Sequence, residues 1–325
     1  MNLIIEDFTN ILIKDKKDNT YKFALARVLL DYINKNYIKK NREIINIKIT
    51  YEEIAENFLK YYWNQVVVYK LKQDFKIQKP AKIVSLIEEK TKYINEVYDF
   101  YFKNNKNIEL KKELIEDIYK YCLVDVIPRF QRDNKQNIYL HNAKKTITKN
   151  QKIRYNKPEK ENRYIILKKE AIDVIIKNHN LLFETIILEW SRFLEKTNFT
   201  PRLIEKVQRI NNPKRNNLTK YRKILLDKGN INCFYCDKLL DLEIDREIHV
   251  DHFIPWSYIF EDNEWNLVLS CQDCNSKKSN LLPTKKCLNK LKEQKKYLEI
   301  DNDLIDNYYK SCKKAGFSKE FSICD

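Results

Sequence analysis

Apolar side chains recur at helical spacing through most of this chain. Residues 21–37, opening Tyr-Lys-Phe-Ala-Leu-Ala-Arg-Val-Leu-Leu-Asp-Tyr-Ile, predict a helix. Thr50 followed by Glu53 is a capping-box signature, and an amphipathic run continues from it to about Leu71. Pro80 opens a further predicted helix to about Phe102, and residues 109–123 another. Residues 1–140 thus read as a helical domain, with Tyr61, Tyr62, Trp63, Tyr98, Phe100, Tyr101 and Phe102 expected in its core rather than as stacking platforms. Helical periodicity resumes over about 165–196, from Ile165 through Trp190 and Leu194. Near the C-terminus the period changes. Ile248 to Phe253 reads as a short strand, Pro255 begins a loop to about Glu264, Asn266-Leu-Val-Leu returns as a second strand, and Cys274-Asn275 begins a helix.

Two stretches break the apolar rhythm with charge. Residues 141–163 hold eight Lys and Arg against Glu159 and Glu161, net +6, with few apolar side chains; they read as a solvated linker or as a basic arm lying along phosphates. Residues 201–228 hold nine basic residues against Glu205 and Asp227, net +7. Residues 229–285 are the reverse, with ten acidic and five basic groups, net −5. The whole 325-residue chain is +16, which suits a polyanionic partner, nucleic acid before an anionic membrane. An AT-rich coding sequence would also raise the Lys count, but accounts less easily for a positive excess. The acidic stretch suits a cation, so the flanking basic segments are left to grip a phosphate backbone.

Composition narrows the fold. Only Gly229 and Gly316 occur, which argues against a Gly-rich phosphate loop, a dinucleotide fingerprint or a turn-rich sandwich. The start, Met1-Asn-Leu-Ile-Ile-Glu6-Asp7, does not read as a signal peptide, and no segment approaches the roughly 18 apolar residues of a membrane span. The expectation is a soluble, cytoplasmic protein whose thiols stay reduced.

Of eight cysteines, Cys122, Cys287, Cys312 and Cys324 are scattered, while Cys233, Cys236, Cys271 and Cys274 form two Cys-x-x-Cys knuckles 34 residues apart. Four thiolates fill a tetrahedron around Zn²⁺ and leave no open position, which marks a structural rather than a catalytic ion. Between the knuckles lie His249-Val-Asp251-His252-Phe-Ile-Pro255-Trp256 and Trp265-Asn266-Leu-Val-Leu-Ser. Phosphodiester hydrolysis needs a water deprotonated near neutral pH, for which imidazole is suited, and a cation to offset charge on the phosphoryl and leaving oxygens. Adjacent strand residues point to opposite sides, so one of Asp251 and His252 can face a cation while the other faces water. His249 is expected to pack or support, Trp256 and Trp265 to clasp the loop, and His141 and His179 to lie on the surface. Lys277 and Lys278 are expected in the first turn of the final helix, where free N–H groups favour phosphate.

Together these residues resemble the HNH endonuclease family. The resemblance covers about residues 229–285: the four knuckle cysteines, Asp-His-x-Ile-Pro, Trp-Asn-Leu-Val and Cys-x-x-Cys-Asn-x-x-Lys. It implies a ββα-metal fold with His252 as general base, Asp251 and Asn275 as ligands of one divalent cation, and Asn266 bracing the loop that carries the base. The final family position is Asn275 here rather than His, an H-N-N variant whose oxygen donor favours Mg²⁺ or Mn²⁺. The expected architecture is mainly α with a small α+β module: a helical domain at 1–140 for DNA recognition or dimerisation, a basic linker or arm at 141–164, a helical basic segment at 165–228, the zinc-stapled nuclease module at 229–285 and a helical tail at 286–325. The expected activity is metal-dependent hydrolysis of double-stranded DNA, with Lys277, Lys278, Arg215, Arg222 and Lys223 on the nucleic acid. A long basic helical region beside such a module resembles type II restriction and phage-defence nucleases. A homodimer or two successive nicks would cut both strands, and a cognate methyltransferase or defence-system component would be a partner. The alternatives are an RNA-cutting or indiscriminate toxin-like nuclease, and a non-catalytic zinc ribbon that only binds DNA.

Overall fold

A computed structural model describes residues 3–38, 47–74, 80–92, 94–103, 106–131, 136–148, 150–209, 216–241, 247–318 and 320–321. It is mostly helical with small, largely antiparallel sheets. The chain divides into two compact units, residues 1–197 with 203–212, and residues 198–202 with 213–325. The segment 286–325 therefore clusters with the cysteine-rich module, and 165–197 with the N-terminal helices.

In the first unit, α1 (Leu3–Thr9) and α2 (Tyr21–Ile33) precede β1 (Ile47–Thr50), which runs straight into α3 (Tyr51–Trp63). The change from strand to helix happens at Thr50. Its hydroxyl accepts from the Glu53 N–H at 3.2 Å, and the Glu53 carboxylate accepts from the Thr50 N–H at 2.8 Å, closing the capping box. Then follow α4 (Lys82–Lys90), α5 (Tyr98–Tyr101), α6 (Ile108–Tyr121) and α7 (Leu123–Phe130), so the single helix expected from Pro80 to Phe102 is two short ones. Next come β2 (Tyr139–His141), β3 (Lys145–Ile147), β4 (Ile153–Tyr155) and β5 (Tyr164–Leu167), and then α8 (Lys169–Lys177), α9 (His179–Glu195) and α10 (Leu203–Gln208).

Two expectations change here. Residues 164–167 are the central strand of a three-stranded antiparallel sheet, β1-β5-β2, not the start of a helix. Ile47, Ile49, Tyr139, Ile165 and Leu167 alternate inward to bury one face of it. The basic stretch after His141 is a folded hairpin, β3 against β4, with its charged side chains outward.

The core of this unit is aromatic. Trp190 is fully buried against Phe23 and Tyr62 at ring-centroid distances of 6.3 and 5.6 Å, and Trp63 packs on Tyr98, Tyr101 and Phe102. Phe100, expected inside, is 60% exposed: the one-turn helix α5 turns it away while Tyr98 faces in. Arg27 is buried in α2, and its guanidinium donates to the Val207 and Gln208 carbonyls at 2.9 and 2.7 Å, satisfying the end of α10 with a cation.

The second unit contains α11 (Thr219–Asp227), β6 (Ile248–His252), α12 (Trp256–Ile259), β7 (Leu267–Cys271), α13 (Gln272–Lys278), β8 (Leu282–Pro283), α14 (Lys285–Gln294), α15 (Asn302–Lys314) and β9 (Glu320–Phe321). β6 and β7 pair antiparallel in the register Ile248↔Cys271 through His252↔Leu267, and α13 packs against both. Phe234, Tyr235, Phe253, Tyr309 and Phe317 supply the bulk of this core. Trp265 packs on Tyr308 of α15 and Trp256 on Phe260, so each tryptophan finds its own neighbour rather than clasping the loop with the other. No described helix is long and apolar enough to cross a membrane.

Candidate active site

The two knuckles meet. The Sγ atoms of Cys233, Cys236, Cys271 and Cys274 all lie within 4.8 Å of one another, and Cys236 Sγ is 3.9 Å from Cys271 Sγ. A tetrahedral ion with Zn–S bonds of about 2.3 Å would separate its sulfurs by about 3.8 Å, so the cluster fits Zn²⁺. The backbone explains the convergence. The first knuckle turns at Asp237, with φ +58°, and the Asn232↔Leu239 bridge closes it; the Phe234 N–H donates to the Leu269 carbonyl at 2.8 Å, tying it to β7. Cys271 ends β7 and is the N-cap of α13, which places Cys274 one turn into that helix. Lys290 of α14 donates to the Phe234 carbonyl at 2.7 Å and pairs with Asp237 at 2.5 Å, closing the knuckle from outside. Cys122, Cys287 and Cys312 are buried, form no disulfide and are not part of this cluster, and Cys324 lies outside the described residues.

Asp251 and His252 close β6, both nearly buried at 8% and 6% exposure. Oδ2 of Asp251 accepts from the Tyr235 hydroxyl at 2.7 Å and pairs with the Lys278 ammonium at 3.1 Å. Burial and the neighbouring Asp251 push the Tyr235 phenol well above its ordinary range, so it stays a proton donor. Nε2 of His252 lies 2.8 Å from Oδ1 of Asp262. The His252 hydrogen bond, then the Asn216 amide and the nearby Lys220 charge, hold the Asp262 carboxyl below the ordinary carboxylate range against the opposing effect of burial. The Asn216 amide donates to Oδ2 of Asp262 at 2.8 Å, and the Tyr221 hydroxyl to its carbonyl at 2.6 Å.

Asn266 is fully buried and clamps the chain after the Asp-His pair. Its Oδ1 accepts from the Ile254 N–H at 2.7 Å, its Nδ2 donates to the Ile254 carbonyl at 2.9 Å, and its own carbonyl accepts from the Phe253 N–H at 2.7 Å. Pro255 then starts α12, which ends at Phe260 in the left-handed region, φ +58°, and turns the chain back to present Asp262. Asn275 is half-buried on α13, with no hydrogen bond from its side-chain amide to any described residue. A carboxylate and an amide oxygen are hard donors of the kind that suit Mg²⁺ or Mn²⁺.

The lysines differ from expectation. Helix α13 begins at Gln272, so Lys277 and Lys278 stand in its last turn, not its first, away from the free N–H groups. Lys278 is fully buried, with Nζ on Asp251 and on the His252 carbonyl at 2.7 Å; it supports the site from within and is not presented to a phosphate backbone. Lys277 is exposed, as is Lys223 on α11, whereas Arg222 is half-buried and already partnered; Arg215 lies outside the described residues. His249 is half-buried with Nε2 unpartnered, His141 is half-buried with burial lowering its pKa, and His179 stacks on Phe183.

Asp262, Tyr235 and Asn216 were not singled out by sequence. Residues 233–284, which hold the cysteines, Asp251, His252, Asp262, Asn266 and Asn275, match the family model of the HNH endonuclease. This segment is an HNH endonuclease domain. The HNH domain supports a nuclease activity that uses a divalent metal and binds nucleic acid. Residues 3–208, more than half of the chain, match the model of a domain of unknown function (DUF8808), and the chain belongs to that family. No curated protein and no solved structure matches it.

Proposed function

We propose that the HNH domain is a one-metal endonuclease of the ββα-metal type acting on double-stranded DNA. The observation that carries this is an imidazole, His252, backed by the Asp262 carboxylate and next in the strand to a second buried carboxylate, Asp251. With Nε2–H donated to Asp262, His252 presents Nδ1 as the base that takes a proton from the attacking water. Asp262 fixes that tautomer and favours the imidazolium that forms. Tyr235 and Lys278 both occupy Oδ2 of Asp251, which leaves Oδ1 for a cation, with Asn275 as the second ligand. Mg²⁺ or Mn²⁺ held there would offset charge on the scissile phosphate and the leaving 3′ oxygen. Asn266 keeps the turn after His252 rigid. The zinc is structural.

Duplex DNA as substrate, and a place in restriction or another phage defence, rest on the +16 charge and the resemblance of the module. The test is plasmid cleavage in Mg²⁺. His252→Ala should lose about 10²–10⁴-fold in rate, and Asp262→Asn should lose rate with KM unchanged, both retaining zinc. Wild-type rates from His252→Ala would leave a zinc-bound DNA-binding protein. Degradation of RNA in preference to plasmid would replace the substrate. Sequencing the fragment ends then shows whether a recurrent word marks the cuts.

A further inference from the structure

The hairpin of β3 and β4 takes no part in the nuclease module and belongs to the other unit. We propose that it is a groove-binding ribbon for double-stranded DNA, a second nucleic-acid contact that deepens the reading above and rests on it for the identity of the polymer.

Three observations carry it. The first is charge. Residues 142–158 contain six Lys and Arg and no Asp or Glu. Lys144, Lys145, Lys152 and Arg154 are all exposed, and none makes an ion pair with a described residue. Just beyond, Lys157 and Arg163 share one ring, Tyr119, at 5.1 and 5.6 Å, while Lys82 and Lys120 share Tyr121 at 5.6 and 5.0 Å. Burial first, and then Arg163 and Lys120, depress the Lys157 ammonium, so these cations crowd one another at the hairpin root. Phosphates would relieve that crowding.

The second observation is shape. Pairing runs from Asn156 N–H on the Lys144 carbonyl, through Lys145↔Tyr155 and Ile147↔Ile153, to Thr148 N–H on the Lys152 carbonyl at 2.9 Å. Two strands lie about 5 Å apart, and a two-stranded ribbon enters the roughly 12 Å major groove of B-DNA. Toward the turn, the cross-strand pair Ile147 and Ile153 is 69% and 45% exposed, against the usual inward rule for β-branched residues. Apolar side chains in that position meet base edges or sugars while flanking cations meet phosphates.

The third is anchorage. Arg129 of α7 donates to the Ile153 carbonyl at 2.9 Å and lies over Tyr155 at 5.7 Å, with Asp125 pairing to it at 3.1 Å. A groove of about 590 Å³ runs there, lined by Arg129, Lys152, Arg154 and Tyr155 among others. An isolated two-stranded hairpin is marginal in water; this one is braced by α7 along β4, from Tyr155 to Ile153 near the turn, and leaves the side chains of Lys144, Lys145 and Ile147 on the β3 side exposed.

The test measures fluorescence anisotropy of a labelled duplex with the full chain in a His252→Ala background, with Ca²⁺ in place of Mg²⁺. The triple variant Lys145→Gln/Lys152→Gln/Arg154→Gln should weaken binding at least tenfold and lower the salt slope by about 2–3, at roughly 0.9 per phosphate contact. Ile147→Ala/Ile153→Ala should weaken binding with the slope unchanged. Both variants should keep the wild-type circular dichroism. With His252 intact, the triple variant should hydrolyse bis(p-nitrophenyl) phosphate as wild type does. Unchanged duplex affinity in the triple variant overturns the ribbon. So does a loss confined to RNA, or a change of sedimentation with the Ile variants and no loss of binding, which would make the tip a contact between copies. Absence of all hydrolysis, with ribbon-dependent binding intact, would instead fall on the nuclease reading alone.

Discussion

The two units of this chain solve the same problem with different materials. The first buries a dense aromatic and aliphatic core, Trp63, Trp190, Tyr62, Phe58 and Phe23 among it. The second sets polar and titratable groups against its own aromatic core: Asp251, His252, Asn266 and Lys278 are all buried beside two short strands. Burial of that kind is unfavourable unless every group is paired. The four converging thiolates could add metal binding to the apolar core on that side. The buried titratable groups of the HNH segment therefore lie in the same unit as the sulfur cluster, whose folding a bound ion would support.

The largest test of this contrast is metal removal. Stripping zinc with a chelator, or Cys271→Ser, should remove on the order of 10 kcal/mol from the second unit and leave the first folded. Hydrogen exchange should show protection lost across β6, β7 and α13 and kept across α2, α3 and α9; equal protection in both would erase the distinction. Next is Trp190→Ala, which should cost the first unit about 3–5 kcal/mol in denaturant melts with the zinc content unchanged. A smaller effect lies at Lys295, 2% exposed, with its ammonium making no hydrogen bond and lying 6.0 Å over the Tyr297 ring, and burial pulling its pKa from 10.5 to about 8, partly opposed by Glu264. Because the unfolded lysine binds its proton more tightly, the folded state is penalised in full below pH 8, and the penalty fades as pH rises toward 10.5. Lys295→Met should therefore stabilise the second unit by about 1–3 kcal/mol at pH 7 and by little at pH 10.5, read from melts with zinc present. The smallest is Thr50→Ala, about 1 kcal/mol from the first unit through its lost cap.

What could be read in advance follows the range of the interactions. The Thr50–Glu53 box, the two-residue spacing inside each knuckle, the Asp251-His252 strand end and the return strand from Asn266 each carry a signature within a few residues, and each was legible. The sheet β1-β5-β2 was not, because it pairs Ile47 with Leu167 across more than a hundred residues, and a four-residue apolar strand looks like a helical turn. The β3–β4 hairpin read as a linker or an extended basic arm because its sparse apolar residues, Ile147 and Ile153, face solvent. Lys278 looked like a surface cation because sequence does not show that the Asp251 carboxylate is there to receive it. Asp262 sits in the run Glu261-Asp262-Asn263-Glu264, where nothing local distinguishes the one acid that α12 turns toward His252.

Cys271 joins three constraints in one residue: it is the ladder partner of Ile248, the residue that starts α13, and a member of the sulfur cluster. Asn275 rides four residues further along the same backbone. Any change at this one sulfur, by oxidation or by loss of an ion, would thus be felt together by the strand pair, the start of the helix and the amide carried on it.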